Sequence, residues 1–295
     1  MEQVPLKAVA TFSVLGDLLK AVGGEHVHVD SIVGPNGDAH VYEPSIRDAK
    51  ALANADLVFT NGLGFEGWMN RLIEASGYKG TVIVGAKGVR RRYDPIQEKE
   101  ILDPHAWHSI SNVKQYIHNI AQALAQKDPI HADYYESRKK AYLNKLEDLD
   151  QWIRTAISNI PTEKRKIVTL HDGFGYFGED YDVEFLAPLG MSTEFEPSAQ
   201  DLVNLIQKAR RYGIKVIFLE NISSPKLMEQ IASEADSTIG GIVYSDALSE
   251  PTEAAGTYLK MMKHNVNQFL QAMKASTGPS SKTTILQTSG PGHRH

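Results

Sequence analysis

Histidines and carboxylates recur in this chain just past its short apolar runs. Asp38, His40 and Glu43 lie in GPNGDAHVYEPS, and Asp103, His105 and His108 in LDPHAWHS. His171 and Asp172 follow KIVTL, Glu220 ends KVIFLE, and Ser245-Asp246 follow STIGGIVY. In open parallel α/β sheets, ligands bind outside the carboxyl ends of the strands. Imidazoles gathered from separate strand ends, with carboxylates beside them, form a donor set for a first-row divalent cation. The chain has no cysteine, so nitrogen and oxygen must supply every bond. Neutral imidazole suits zinc, and added carboxylate shifts the preference toward manganese. The other histidines of the folded part fail this placement. His118 and His264 fall inside helical patterns, His26 and His28 begin a strand, and His131 opens a long helix, so all five are read as structural.

One segment admits a competing chemistry. TLHDGFGYFGED contains G-x-G-x-x-G at Gly173, Gly175 and Gly178, directly after an apolar run. A dinucleotide-binding turn needs a strand before it, a helix after it and an acidic residue about 20 positions on; Glu194 and Glu196 meet the last condition. Against that reading, Phe174, Tyr176 and Phe177 place rings where a pyrophosphate must approach, and Glu179, Asp180 and Asp182 add negative charge. The glycines are better read as serving a tight strand-to-helix turn, with the two phenylalanines packing the helix onto the sheet.

The elements that would position these groups follow from periodicity. Strands are predicted at 7–12, 26–33, 56–61 and 81–86, with helices at 14–23, 45–55 and about 65–76 between them. The second half repeats the rhythm: strands at 166–170, 215–220 and 237–244, and helices at 198–213, 224–235 and 251–274. This βαβα alternation predicts an α/β fold of two lobes, each a mainly parallel sheet flanked by helices. Between them, Asp128-Pro129 reads as an N-cap followed by proline at the first helical position. Tyr135, Tyr142, Leu146, Leu149, Ile153 and Ile157 then form one apolar stripe. The spacing predicts a rigid spine helix of about 30 residues, roughly 45 Å long. The expected division is an N-terminal lobe at 1–127, the spine at 128–160 and a C-terminal lobe at 161–278. Residues 279–295, rich in Ser, Thr and Gly, read as a disordered tail.

The formal charge of −5 offers no basic surplus for nucleic acid, and the one dense basic run, Arg90-Arg91-Arg92, reads as a solvated loop. No apolar run approaches the ~18 residues of a membrane span. The N-terminus, MEQVPLKAVATFSVLGDLL, lacks a signal-peptide pattern, which suits either a cytosolic protein or a mature form whose signal has been removed.

Taken together, GPNGDAHVYEPS, LDPHAWHS, TLHDGFGYF and GGIVYSDALSEP resemble the four metal-site segments of the zinc/manganese solute-binding proteins of bacterial ABC transporters. The resemblance covers about residues 1–275 and includes the spine and EPSAQDL at 196–202. It implies a non-enzymatic receptor, periplasmic or lipid-anchored outside the cytoplasm and monomeric, that delivers a divalent metal to a membrane permease. Position by position, it places the metal ligands at His40, His105, His171 and Asp246. Such a three-imidazole, one-carboxylate set implies Zn2+, with Mn2+ the alternative. Two departures stand out. The stretch before His105 lacks the histidine-rich loop of many zinc-type members, and His108 stands where the family usually has an aliphatic or polar residue, here expected at the surface. Asp103, Glu43 and Glu220 are the candidates for orienting ligand imidazoles. A zinc hydrolase and an NAD-dependent enzyme are the competing readings.

Overall fold

A computed structural model describes residues 4–93 and 101–277. Its first sheet comprises β1 (Leu6–Phe12), β2 (Val27–Val33), β3 (Leu57–Thr60) and β4 (Val82–Val84), in the order β2-β1-β3-β4 and all parallel. The crossovers are α1 (Ser13–Gly23), α2 (Ile46–Ala53) and α3 (Met69–Ser76). The second sheet comprises β5 (Lys166–Val168), β6 (Glu184–Leu186), β7 (Val216–Glu220) and β8 (Thr238–Val243), in the corresponding order β6-β5-β7-β8 and again all parallel. Its crossovers are α6 (Gly175–Tyr181), α7 (Ala199–Arg211) and α8 (Lys226–Glu234). The expected architecture of two α/β lobes with flanking helices and one long joining helix is the one observed.

Two long helices separate the sheets. α4 (Ile110–Lys127) starts at Ser109, whose hydroxyl accepts the Asn112 N–H. α5 (Ala132–Ser158) is the spine, 27 unbroken residues and so about 40 Å long. Its start departs from expectation. Pro129–His131 form a separate 3-10 turn, and the Asp128 carboxylate accepts from His131 Nδ1 and the Tyr135 hydroxyl, both at 2.7 Å, instead of capping α5. The stripe behaves as the periodicity predicts: Tyr135, Tyr142, Leu146, Leu149, Ile153 and Ile157 are all buried. α5 packs against α1, α4 and α6 and against the closing helix α9 (Tyr258–Ala275). α9 begins later than expected, at Tyr258, where the Thr257 hydroxyl caps it by accepting from the Lys260 N–H.

One continuous core runs from the first sheet through α1, α4 and α5 to α9 and the Phe174–Phe177 turn. A second, smaller core lies under α7 and α8. Strand alternation divides the second sheet between them. Ile167 and Phe218 face the large core, while their neighbours Val168 and Ile217 face the small one. In EPSAQDL, Ser198 and Asp201 form a capping box at the start of α7. Residues 279–295 lie outside the described part. No helix of the described residues is long and apolar enough to cross a membrane.

Candidate metal centre

His40 follows β2, His105 lies in the loop after β4, His171 follows β5 and Asp246 follows β8. The fold brings these four together, one donor atom from each lying within 4.8 Å of the others. His105 Nε2 stands 3.3 Å from His40 Nε2 and 3.2 Å from His171 Nε2. Asp246 Oδ2 is 3.3 Å from both His40 Nε2 and His171 Nε2, and Oδ1 is 3.6 Å from His105 Nε2. Four ligands placed about 2.05 Å from a tetrahedral ion stand about 3.3 Å apart, close to the 3.2–3.6 Å of these contacts, so the spacing suits a small divalent cation.

The electrostatics point the same way. Both Asp246 oxygens are buried, and neither has a hydrogen-bond partner among the described residues. A buried carboxylate is costly unless a cation answers it. Burial by itself would raise the Asp246 pKa, but the His171 and His105 rings hold it well below the usual range. Burial would likewise lower the His171 pKa, and the Glu220 and Asp246 carboxylates override it and hold the imidazole well above its ordinary value.

Two of the three imidazoles are held from behind by carboxylates. His105 Nδ1 lies 2.7 Å from Asp103 Oδ1, which also accepts the His105 N–H at 2.9 Å. Asp103 Oδ2 accepts from Arg92 Nη1 at 2.7 Å. Burial disfavours the charged form of Asp103, but His105 and Arg92 together hold its pKa below the usual range. His171 Nδ1 lies 2.6 Å from Glu220 Oε2, and Glu220 Oε1 accepts the backbone N–H groups of Leu170 and His171. The Ser245 hydroxyl donates to Glu220 Oε2 at 2.7 Å. With Nδ1 turned to its carboxylate, each ring aims Nε2 at Asp246 and the neighbouring rings, and a metal would take the Nε2 lone pair once any proton there is displaced. Of the three orienting candidates, Asp103 and Glu220 hold imidazoles. Glu43 does not: it is exposed and lines an outer groove with Ile46 and Arg71.

Two surface expectations are corrected. His108 is fully buried. The Ala106–His108 turn carries Trp107 and His108 inward, where Trp107 Nε1 and His108 Nε2 both donate to the Ser245 carbonyl, at 2.8 and 2.9 Å. Burial pushes the His108 pKa down to about 3, so the ring is neutral and joins the His105 and Asp246 loops. The Arg90–Arg92 run is not a free solvated loop either. Arg90 pairs with Glu179 and Asp180, and Arg92 with Asp103 and Glu179. No sequence-local signal marks the pairs with Glu179 and Asp180, because these α6 residues lie nearly ninety positions away.

The glycine motif resolves in favour of the histidine. A Cβ on Gly173 would stand 2.7 Å from His171 Nε2, and one on Gly175 would stand 2.2 Å from Arg92 Cζ. Both glycines clear room for groups of the polar centre, and that occupied space leaves none for a pyrophosphate.

A family model described as "Zinc-uptake complex component A periplasmic" matches residues 8–272. The manganese-binding lipoprotein MntA of Halalkalibacterium halodurans is 33% identical over 270 residues, covering 91% of this chain and 88% of that protein. Among solved structures, the periplasmic zinc-binding protein TroA from Treponema pallidum superposes with a TM-score of 0.86 at 28% identity, covering 91% of this chain and 99% of that one. A Mn-bound periplasmic metal-binding protein from Candidatus Liberibacter asiaticus gives a TM-score of 0.81 at 29% identity, with the same coverages of 91% and 99%.

Proposed function

This chain belongs to the periplasmic zinc-uptake component A family, and from that premise we propose that it is the metal receptor of an ABC importer, with His40, His105, His171 and Asp246 as the ligands of its cargo. The observation that carries the reading is the buried Asp246 carboxylate, without hydrogen-bond partners, facing three imidazole nitrogens from both lobes. In this reading residues 1–127 and 161–278 are the two lobes and 128–160 the spine. The protein works outside the cytoplasm, lipid-anchored or free, as a monomer that hands its ion to a membrane permease.

Zinc is the proposed cargo, because three neutral imidazoles and one carboxylate at tetrahedral spacing suit it. Manganese is the second reading, favoured by relatives named as manganese-binding lipoproteins at 33% and 34% identity. Zinc exceeds manganese in intrinsic affinity for such a site. The test is therefore elemental analysis of protein isolated without added metal, followed by competition titration with both ions. One equivalent of zinc retained against a manganese excess supports the first reading, and manganese in the isolated protein supports the second. Protein that binds neither ion removes both.

A receptor also fits better than a hydrolase. A catalytic zinc keeps one position open for water and needs a free base nearby. Here Asp246 fills the fourth position, and both Glu220 oxygens already accept hydrogen bonds. Release then calls for local loosening, since the unbroken α5 and the continuous core resist a wide hinge.

A further inference from the structure

The four proposed ligands are not equally enclosed. The side chains of His105, His171 and Asp246 have no exposed surface, whereas that of His40 keeps 6%. Behind His105 stand Asp103 and Arg92, and behind His171 stand Glu220 and Ser245. The Asp246 loop is gripped through the Ser245 carbonyl by Trp107 and His108. His40 has no carboxylate hydrogen-bonded to its ring among the described residues. Its own N–H donates to Asp38 Oδ1 at 2.9 Å instead.

The other oxygen of that carboxylate crosses the molecule. Asp38 Oδ2 accepts from the Thr193 hydroxyl at 2.6 Å. Thr193 sits in the segment between β6 and α7, which is zipped to the end of β5 by Leu189 N to Leu170 O at 3.2 Å and Asp172 N to Gly190 O at 3.1 Å. A continuous line of contacts therefore runs from the His171 strand end, through this segment and Thr193, to Asp38 and the His40 backbone.

We propose that Thr193 is a positioning residue for cargo release. Of the hydrogen bonds among the described residues that tie the His40 loop to the opposite lobe, those of Asn36 to Leu248 and Asn221 hold its far end. The Thr193 hydroxyl alone leads through Asp38 to the His40 N–H, so breaking it loosens His40 and eases the way out past it. The inference rests on the receptor reading above. The other three ligands are immobilised by several partners each. The Asp38–Thr193 contact is a single side-chain bond on the partly exposed rim, and neither residue is a ligand. The latch acts on kinetics. It slows escape of the ion while leaving the donor set intact.

The test loads the full-length protein with one equivalent of zinc and follows its loss to excess chelator by stopped flow. Thr193→Val should release zinc roughly tenfold faster, the scale of one hydrogen bond to a charged group. Thr193→Ser, which keeps the hydroxyl, should release at the wild-type rate. In an Asp38→Ala background, Thr193→Val should add nothing, because its acceptor is gone. A Thr193→Val protein that loads one zinc and sheds it at the wild-type rate overturns the latch alone, as does full additivity with Asp38→Ala. Wild-type protein that takes up no zinc overturns the receptor reading and the latch with it.

Discussion

The two sheets share one strand order but are supported differently. In the first, β1 and β2 run seven residues each and pair in register from Leu6↔Val27 to Phe12↔Val33. In the second, β5 and β6 are three residues each, and the β7–β8 ladder shifts register between Ile217 and Leu219. The first sheet shares its core with the spine and α9, while the outer face of the second rests on the separate small core under α7 and α8. The difference teaches where the molecule can yield. Most of it is one packed body, and the compliant layer is the outer part of the second lobe, to which the Thr193 segment is attached.

The sharpest test of that comparison uses one ligand from each sheet. Structural zinc sites bind with about 10–16 kcal/mol, or about 2.5–4 kcal/mol per ligand when divided over four. His105→Ala and His171→Ala should therefore each weaken zinc binding by roughly a few hundredfold, measured by competition titration. A large loss from one and none from the other would reduce the centre to a single lobe.

Core truncations come next. Ile153→Ala in the spine and Ile231→Ala in α8 should each cost about 2–5 kcal/mol. Their reach should differ. Ile153→Ala should lower the main thermal transition, whereas Ile231→Ala should raise amide hydrogen exchange in α7, α8 and β7 and leave α1, α4 and α5 protected. Equal spreading of both effects would break the contrast.

The pH response is smaller. Glu220 and Asp246 hold the His171 imidazole well above its ordinary pKa, so at neutral pH the metal-free ring carries a proton that an incoming ion must displace. Zinc binding at pH 7 should release about one proton, read from calorimetry in buffers of different ionisation heat. The sign follows directly: affinity falls as pH falls, about tenfold per unit for each displaced proton. The smallest effect belongs to Arg90→Ala. It removes partly exposed ion pairs to Glu179 and Asp180 and should change stability by under about 1 kcal/mol in denaturant unfolding.

How much of this was legible in the sequence depended on whether the signal was local. The spine stripe and the alternating strands announce themselves because burial repeats with the period of the backbone. The four converging residues were legible as polar groups placed where parallel strands end, and the resemblance chose among them. What was illegible depended on distant partners or on very short elements. β6 is too short at Glu184–Leu186 to display alternation. His108 lies in a single 3-10 turn whose inward direction is set by the Ser245 carbonyl, 137 positions away. Glu43 looked equivalent to Asp103 by its place near a histidine, yet only Asp103 turns back onto its neighbour.

The grip on the Ser245 carbonyl has an optical corollary. The Trp107 indole sits with its centroid 5.2 Å from the His105 ring while its N–H donates to the loop that bears Asp246. With Trp68 and Trp152 replaced by Phe, its emission alone would report each arrival and departure of cargo, a gauge already installed in the chain and needing no attached dye.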